Sequence, residues 1–210
     1  MPENWAVTST SVADALAELP TPGPGAAGGA LAGIVAYSGG PVSGPAFTVR
    51  LCPPGESDRP LNAFLDDVPA GSVLVVDNGG RRGHSVFGGL MAAEARRRGA
   101  VAVVVNGEVR DVGEARRIGF GVFARGRTPV SGRSFARLAA IQEPLAWEDV
   151  TVFPGDVVVA DGDGAVAVPA QRAAIVLERA RLIEEEDTRL AADVASGVPL
   201  SLARARRAGT

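Results

Sequence analysis

Ser72-Val-Leu-Val-Val-Asp-Asn-Gly-Gly80 and Ala100-Val-Ala-Val-Val-Val-Asn-Gly-Glu-Val-Arg-Asp111 flank a glycine-opened helical run, and this stretch from Gly71 to Asp111 decides the fold. Ser72–Asp77 has the short apolar pattern of a buried strand, and Asn78-Gly79-Gly80 closes it with a turn that needs glycine's positive φ. Phe87 to Arg98 reads as a helix with Gly99 as its C′ residue. Arg96, Arg97 and Arg98 in its last turn suit the negative end of the dipole, which puts the start near Gly88. Ala100–Val105 is continuously apolar, as in a strand buried on both faces, and it leads into Asn106-Gly107-Glu108-Val109 and then Arg110-Asp111. Strand, helix and strand in this order give a mixed α/β class.

Two adjacent glycines at a helix start leave several N–H groups uncovered, which makes a site for a carboxylate or phosphate. The amides of Gly88, Gly89, Leu90 and Met91 are the candidate ligands, although Gly88 and Gly89 can equally serve only close packing. Arg110 and Asp111 emerge at the carboxyl edge of the neighbouring strand, where open α/β sheets bind ligands. Arginine offers a planar fork to a carboxylate, and aspartate can hold a hard divalent cation. A structural reading stands beside this one. Asp111-Val-Gly-Glu114 is capping-box-like and opens a short helix Val112–Ile118, so Asp111 can be an N-cap and Arg110 an ordinary ion-pair arginine.

Outward from this stretch, the 210 residues are 46% hydrophobic with a mean hydropathy of +0.16, enough for one well-buried domain. A net charge of −3 gives no electrostatic footprint for nucleic acid. One cysteine, Cys52, excludes an intrachain disulfide, and one histidine, His84, excludes a multi-histidine metal cage. No stretch approaches about 18 uninterrupted apolar residues and no signal pattern opens the chain, so a cytoplasmic protein with no membrane partner is expected.

Residues 1–10 read as loosely attached, and Ser11–Leu19 as a helix capped by Ser11 or Thr10 and stopped by Pro20. Pro20–Gly33 and Gly40–Pro45 read as loop and turn, with strands at Ile34–Tyr37 and Ala46–Leu51, the latter placing Phe47, Val49 and Leu51 on one face. Leu61–Asp67 is a helix with Leu61, Phe64 and Leu65 inward. The loop Arg81–Ser85 precedes the glycine-opened helix; His84 there is an acid or base candidate or a solvent-facing histidine, and Arg81 and Arg82 are candidate contacts for a second carboxylate. Gly119–Ala124 is a strand and Arg125–Phe135 a loop rich in Gly, Arg and Ser. Strands follow at Trp147–Val152 and Val157–Ala160. Asp161-Gly-Asp-Gly164 fits a hairpin turn better than a metal loop, since the twelve-residue calcium pattern is absent. Pro169–Ala195 is one long helix with a stripe of Ile175, Val176, Ala180, Ile183, Leu190 and Val194, and Arg204–Arg207 is a short frayed run.

Val73–Asn78, Phe87–Ala92, Gly99–Asp111, Val122–Gly126 and Pro154–Pro169 together resemble the RraA-like family, and the likeness runs from Ser11 through the C-terminal helix. That family includes the class II 4-hydroxy-4-methyl-2-oxoglutarate/4-carboxy-4-hydroxy-2-oxoadipate aldolases, oxaloacetate decarboxylases and the ribonuclease E activity regulator. The resemblance implies an α/β/β layered sandwich spanning 1–210, with the helix 169–197 at a subunit interface of a homotrimer or homohexamer. It also implies a metal-dependent carbon–carbon lyase acting on a small 2-oxo acid. The family's aldolases carry Asp, twenty residues, then Arg-Asp; Arg110-Asp111 matches the second half, whereas Gly89 stands where the first aspartate would be. Retention of Asp111 favours an enzyme over the regulators. A glutamate from a neighbouring subunit's C-terminal helix reaches the site in those aldolases, and Glu185 or Glu186 could fill that role.

The basic residues give an independent constraint: all 21 are arginine and lysine is absent. A Schiff base on a lysine amine is therefore closed to this chain, and cleavage beside a keto group needs a metal as electron sink. The expected ion is Mg²⁺, with Mn²⁺ the other candidate, anchored by Asp111. The alternatives are a non-catalytic regulatory protein, or a lyase with a different substrate in a dedicated biosynthetic pathway.

Overall fold

The computed structural model describes residues 7–20, 23 and 28–208, with side chains through 205. In chain order the elements are α1 (Ser9–Glu18), β1 (Gly29–Ala30), β2 (Val35–Ser38), β3 (Val42–Cys52), β4 (Val73–Asp77), β5 (Ser85–Phe87), α2 (Gly89–Arg97), β6 (Ala102–Val109), α3 (Val112–Arg117) and β7 (Gly121–Arg127). Then come β8 (Arg137–Ile141), β9 (Leu145–Trp147), β10 (Val150–Val152), β11 (Val157–Asp161), β12 (Gly164–Val168), α4 (Ala173–Ala195) and α5 (Leu200–Ala208). Short 3-10 turns lie at Ala63–Asp67, Gly132–Ser134 and Ala170–Arg172.

The sheet runs β1-β12-β11-β3-β4-β6-β7-β2, with β5 added to β6 and β8 to β3. β3, β4, β6 and β7 are parallel neighbours, as the continuous apolar runs of β4 and β6 predict. The long β3 belongs to two layers. Val42–Pro45 pairs antiparallel with β11, and Ala46–Arg50 pairs parallel with β4. Strand alternation then distributes the core: Phe47, Val49, Leu51, Leu74, Val76, Val103 and Val105 face α2, α3 and the Ala63–Asp67 turn. Ala46, Val73, Val75, Ala102 and Val104 face the β9–β10 hairpin and the inner face of β11–β12. The outer face of that hairpin, Val159, Val166 and Val168, is covered by Val12 and Ala15 of α1 and Val176, Leu177, Ala180 and Ile183 of α4. These layers match the expected α/β/β arrangement with a C-terminal helix.

Several boundaries differ from the sequence reading. Residues 1–6, 21–22 and 24–27, which fall in the predicted loose N-terminus and loop, lie outside the described residues. α1 starts at Ser9 with Thr8 as N-cap, since the Thr8 side chain, not that of Thr10 or Ser11, accepts a hydrogen bond from the Ser11 amide. Gly40–Pro45 is not wholly turn, because β11 recruits it from Val42 onward. β6 continues through Val109 by pairing with β5 and β7 beyond a register shift. Trp147–Val152 is a hairpin rather than one strand, and only Ala63–Asp67 of the predicted Leu61–Asp67 helix is helical. α4 begins after a 3-10 turn; of the expected stripe Val176, Ala180 and Ile183 are buried, joined by Leu177, whereas Ile175 and Val194 are exposed. Arg204–Arg207 lies within α5. Among the described residues no helix is long and apolar enough to cross a membrane.

Candidate active site

β5 delivers the chain to Gly88, the N-cap of α2, and the first helical bond of α2 runs from the Ala92 amide to the Gly88 carbonyl at 3.0 Å. The amides of Gly89, Leu90 and Met91 precede it and sit at the open helix end. The carboxyl end of β6 lies alongside, tied by the Arg110 amide to the Phe87 carbonyl at 3.0 Å. A Cβ on Gly88 would stand 3.0 Å from Asp111 Oδ2 and 3.1 Å from both Cγ and Nε of Arg110. Close packing and ligand binding are therefore not rival readings of this glycine: what it packs against is the Arg110–Asp111 pair.

Asp111 adopts left-handed backbone angles, φ 54° and ψ 34°, and precedes α3 without a side-chain capping bond. Its carboxylate turns back, and Oδ2 accepts the Gly89 amide of the other helix at 3.2 Å. The capping-box reading fails on Glu114 as well, whose carboxylate accepts two hydrogen bonds from Arg117 at 3.0 and 2.6 Å. A left-handed non-glycine residue is a locally unfavourable state that surrounding structure must hold. Here it aims the carboxylate at the cleft. Arg110 Nε lies 3.5 Å from Asp111 Oδ2, and the side chains are 34% and 50% exposed, so both remain reachable.

A cleft of about 620 Å³ opens over this pair and the segment Gly88–Met91. Its other walls are Leu61 and Leu65, and the turn carrying Ser131, Gly132, Arg133 and Arg137. Glu94 sits at the rim, where hydrogen bonds from Arg97 and Arg98 hold its carboxyl down at about 2. The sequence reading passed over the Ser131–Arg137 side, taking it as loop. The available signal was a glycine between serine and arginine.

Other candidates are placed elsewhere. His84 is buried rather than solvent-facing, with Nε2 3.3 Å from the Asn78 side-chain nitrogen and its ring stacked on Phe135 at 5.2 Å. It buttresses the Ser131–Phe135 turn and does not line the cleft. Arg81 bonds Asn78 Oδ1 at 2.7 Å and faces a separate polar groove with Arg50 and Glu56, so it greets no carboxylate in the main cleft. Arg82 is exposed outside the cleft. Glu185 pairs with Arg181 and Arg189, and Glu186 with Arg179, on α4 beyond the β11–β12 layer. Asp161 is a structural residue: burial pushes its carboxyl up, but hydrogen bonds from the Ser9 hydroxyl and amide and from the Asp163 and Gly164 amides outweigh this and hold it low.

Among the described residues no three His, Cys, Asp or Glu side chains cluster as a metal cage. The donor set fits a hard cation that keeps most of its waters and takes one carboxylate, the habit of Mg²⁺. Asp111 is the carboxylate that would hold such an ion. At Gly89, where a second would be expected, a Cβ would meet Glu114 Cγ at 3.0 Å and Asp111 Cβ at 3.2 Å.

A family model described as Aldolase/RraA, under the heading RraA-like, matches residues 9–167. The chain belongs to the RraA-like family. It is 34% identical over 114 residues to 4-hydroxy-4-methyl-2-oxoglutarate aldolase of Thermus thermophilus, covering 54% of this chain and 69% of that one. Protein DlpA of Legionella pneumophila is 33% identical over 166 residues, which is 78% of this chain but only 27% of DlpA, so this RraA-like chain spans about a quarter of that relative. Among solved structures, Streptomyces coelicolor RraAS2, described as an unusual member of the RNase ES inhibitor RraA protein family, superposes with a TM-score of 0.74 at 35% identity, covering 87% of this chain and 91% of that one.

Proposed function

We propose that this RraA-like chain is a divalent-metal-dependent lyase that cleaves the C3–C4 bond of a 2-oxo acid through a pyruvate enolate. The observation that carries the reading is the left-handed Asp111, whose carboxylate and neighbouring guanidinium meet an open helix end in a cleft. Similarity to a named aldolase supports the reaction class.

The amides of Leu90 and Met91 and the fork of Arg110 bind the substrate's 1-carboxylate and keto oxygen. Mg²⁺, or Mn²⁺ in its place, held by Asp111, supplies positive charge against the enolate when bound. In 4-hydroxy-4-methyl-2-oxoglutarate the C3–C4 bond breaks, its electron pair moves to the carbonyl side, and the C4 hydroxyl gives its proton to water as it becomes a ketone. The enolate then takes a proton at C3, so two pyruvates leave. Oxaloacetate loses carbon dioxide from C4 and passes through the same enolate. Arg110 opposes the negative charge that appears in the transition state, where preorganised donors act most strongly.

The test is pyruvate release from both substrates with Mg²⁺ and with a chelator, after subtracting the protein-free rate. Mg²⁺-dependent release is expected; none under either condition overturns the reading. A regulatory role is the second reading, favoured by Gly89 and by the likeness to RraAS2. The protein is further proposed to be cytoplasmic and to assemble as a homotrimer or homohexamer, with Glu185 or Glu186 of α4 offered to a neighbouring copy. Sedimentation equilibrium of the full chain tests the assembly, and a monomer would exclude it.

A further inference from the structure

The cleft is larger than a three-carbon acid needs, since about 300–1,000 Å³ is the range that houses drug-sized ligands. Its second wall is built with unusual rigidity. A Cβ on Gly132 would lie 2.2 Å from the Ser85 carbonyl oxygen, so only glycine lets this turn seat directly on β5. The Ser85 amide bonds the Val130 carbonyl at 2.8 Å, and the Phe135 and Ala136 amides both bond the Gly132 carbonyl. Arg137 Nη1 reaches the carbonyls of Arg133 and Ala136 at 2.6 and 3.0 Å, bracing the turn from within, and Phe135 stacks on His84. Together these contacts hold the turn that carries Arg133, and the bond from Arg137 acts on the Arg133 carbonyl itself.

The charged side chains of the cleft are Asp58, Glu94, Arg110, Asp111, Arg133 and Arg137. Glu94 is committed to Arg97 and Arg98, and Asp111 to the Gly89 amide and Arg110. The Arg133 guanidinium has no hydrogen-bond or ion-pair partner among the described residues, and it is exposed in the cleft wall. A fixed backbone that carries an uncommitted guanidinium places an anion contact in the cleft wall, whose side chain is ordered when the anion binds. Its anchor, Ser85, opens β5 three residues before Gly88, or about 10 Å at 3.3 Å per residue. Arg133 lines the same cleft as the α2 amides, so from that anchor its side chain is within reach of the far end of a four- or five-carbon acid whose near end sits on those amides.

We infer that Arg133 reads the second carboxylate of the substrate and so selects 2-oxo dicarboxylic acids over 2-oxo monocarboxylic acids. The inference rests on the lyase reading for the near end of the substrate. To the Arg110–Asp111 site it adds a residue for the far carboxylate that both proposed substrates carry.

Direct binding tests it without catalysis. Calorimetric titrations with pyruvate and with 2-oxoglutarate, in the presence of Mg²⁺, are compared for the wild type, Arg133→Gln and Arg133→Lys. For Arg133→Gln the dissociation constant for 2-oxoglutarate should rise about tenfold, as for loss of one charge-assisted contact, while that for pyruvate stays within twofold. Arg133→Lys should recover part of the loss. Arg133 is exposed, and unchanged thermal unfolding of both variants is expected. If the wild type binds both acids and Arg133→Gln weakens neither, or both equally, the specificity inference falls and the lyase reading stands. If the wild type binds neither acid, both fall together.

Discussion

Gly88→Ala separates the stability of this fold from its chemistry. The backbone of Gly88 is extended, with φ −148° and ψ −174°, so alanine enters without backbone strain. Restricting the unfolded chain gains about 0.4–1 kcal/mol. Against this, the added methyl would stand 3.0 Å from Asp111 Oδ2 and 3.1 Å from Arg110 Nε, where ordinary contact begins near 3.4 Å. Both side chains must retreat by a few tenths of an ångström, and such a retreat can carry the 3.2 Å bond from the Gly89 amide to Asp111 past hydrogen-bonding range. That bond contributes about 0.5–1.5 kcal/mol, so the global balance stays within about 1 kcal/mol of zero. Catalysis has no such compensation. A misplacement of about 1 Å at reacting groups can cost about 10²-fold, so a retreat of a few tenths of an ångström should lower kcat/KM for pyruvate release by about 3- to 10-fold. Urea unfolding and a coupled pyruvate assay on the same preparation make the comparison. A variant of wild-type stability that retains wild-type kcat/KM would refute the argument, because it would show that the pair packed on Gly88 is not where the reaction occurs.

Arg110→Lys replaces a two-pronged contact with a point charge, and kcat/KM should drop by about 10²–10³-fold with the fold intact; near-normal turnover would remove Arg110 from the mechanism. Gly132→Ala forces a methyl to 2.2 Å from the Ser85 carbonyl oxygen and should cost about 1–3 kcal/mol in denaturant unfolding, while also weakening 2-oxoglutarate binding. Asp161 carries a pH prediction. Its folded carboxyl titrates below the unfolded value of about 3.9, so its contribution is complete above that pH and is lost as the pH falls through the lower folded value. Asp161→Asn should therefore lower stability at neutral pH, by about 1–3 kcal/mol, and flatten the stability curve below about pH 4. An unchanged acid limb would show that the bonds to Ser9 carry no such linkage.

How far the sequence disclosed this arrangement depends on the range of the interactions involved. β4, β6 and the start of α2 were legible because apolar run, glycine pair and terminal arginines are local signals; Gly99, with φ 91°, is the left-handed C′ residue its position required. The hairpin at Asp161–Gly164 was legible for the same reason. β3 was underestimated because Gly40–Pro45 carries turn residues, yet Gly44 lies so close to the Gly71 carbonyl oxygen that a Cβ would stand 2.4 Å from it, and β11 pairs alongside. Turn composition there reflects a crowded crossing between layers. His84 was misplaced because its ring partner, Phe135, is remote in the chain, and no local pattern announces such a contact.

Asp111 is the instructive case, because its two readings were separated by one pair of dihedral angles. Asp-x-x-Glu is compatible both with a helix cap and with a carboxylate aimed elsewhere, since the same oxygen can serve either set of amides. What decides is the left-handed backbone, which points the carboxylate away from the amides of α3 and onto that of Gly89. The same geometry bears on the missing aspartate of the family motif. A Cβ at position 89 would stand 3.0–3.2 Å from side-chain carbons of Asp111 and Glu114, so a side chain placed there would press on both, while the backbone amide of this position bonds Asp111. With a single acid at its centre, a site that holds a cation as proposed would depend more heavily on Arg110, the α2 amides and the substrate's own oxygens to complete its environment.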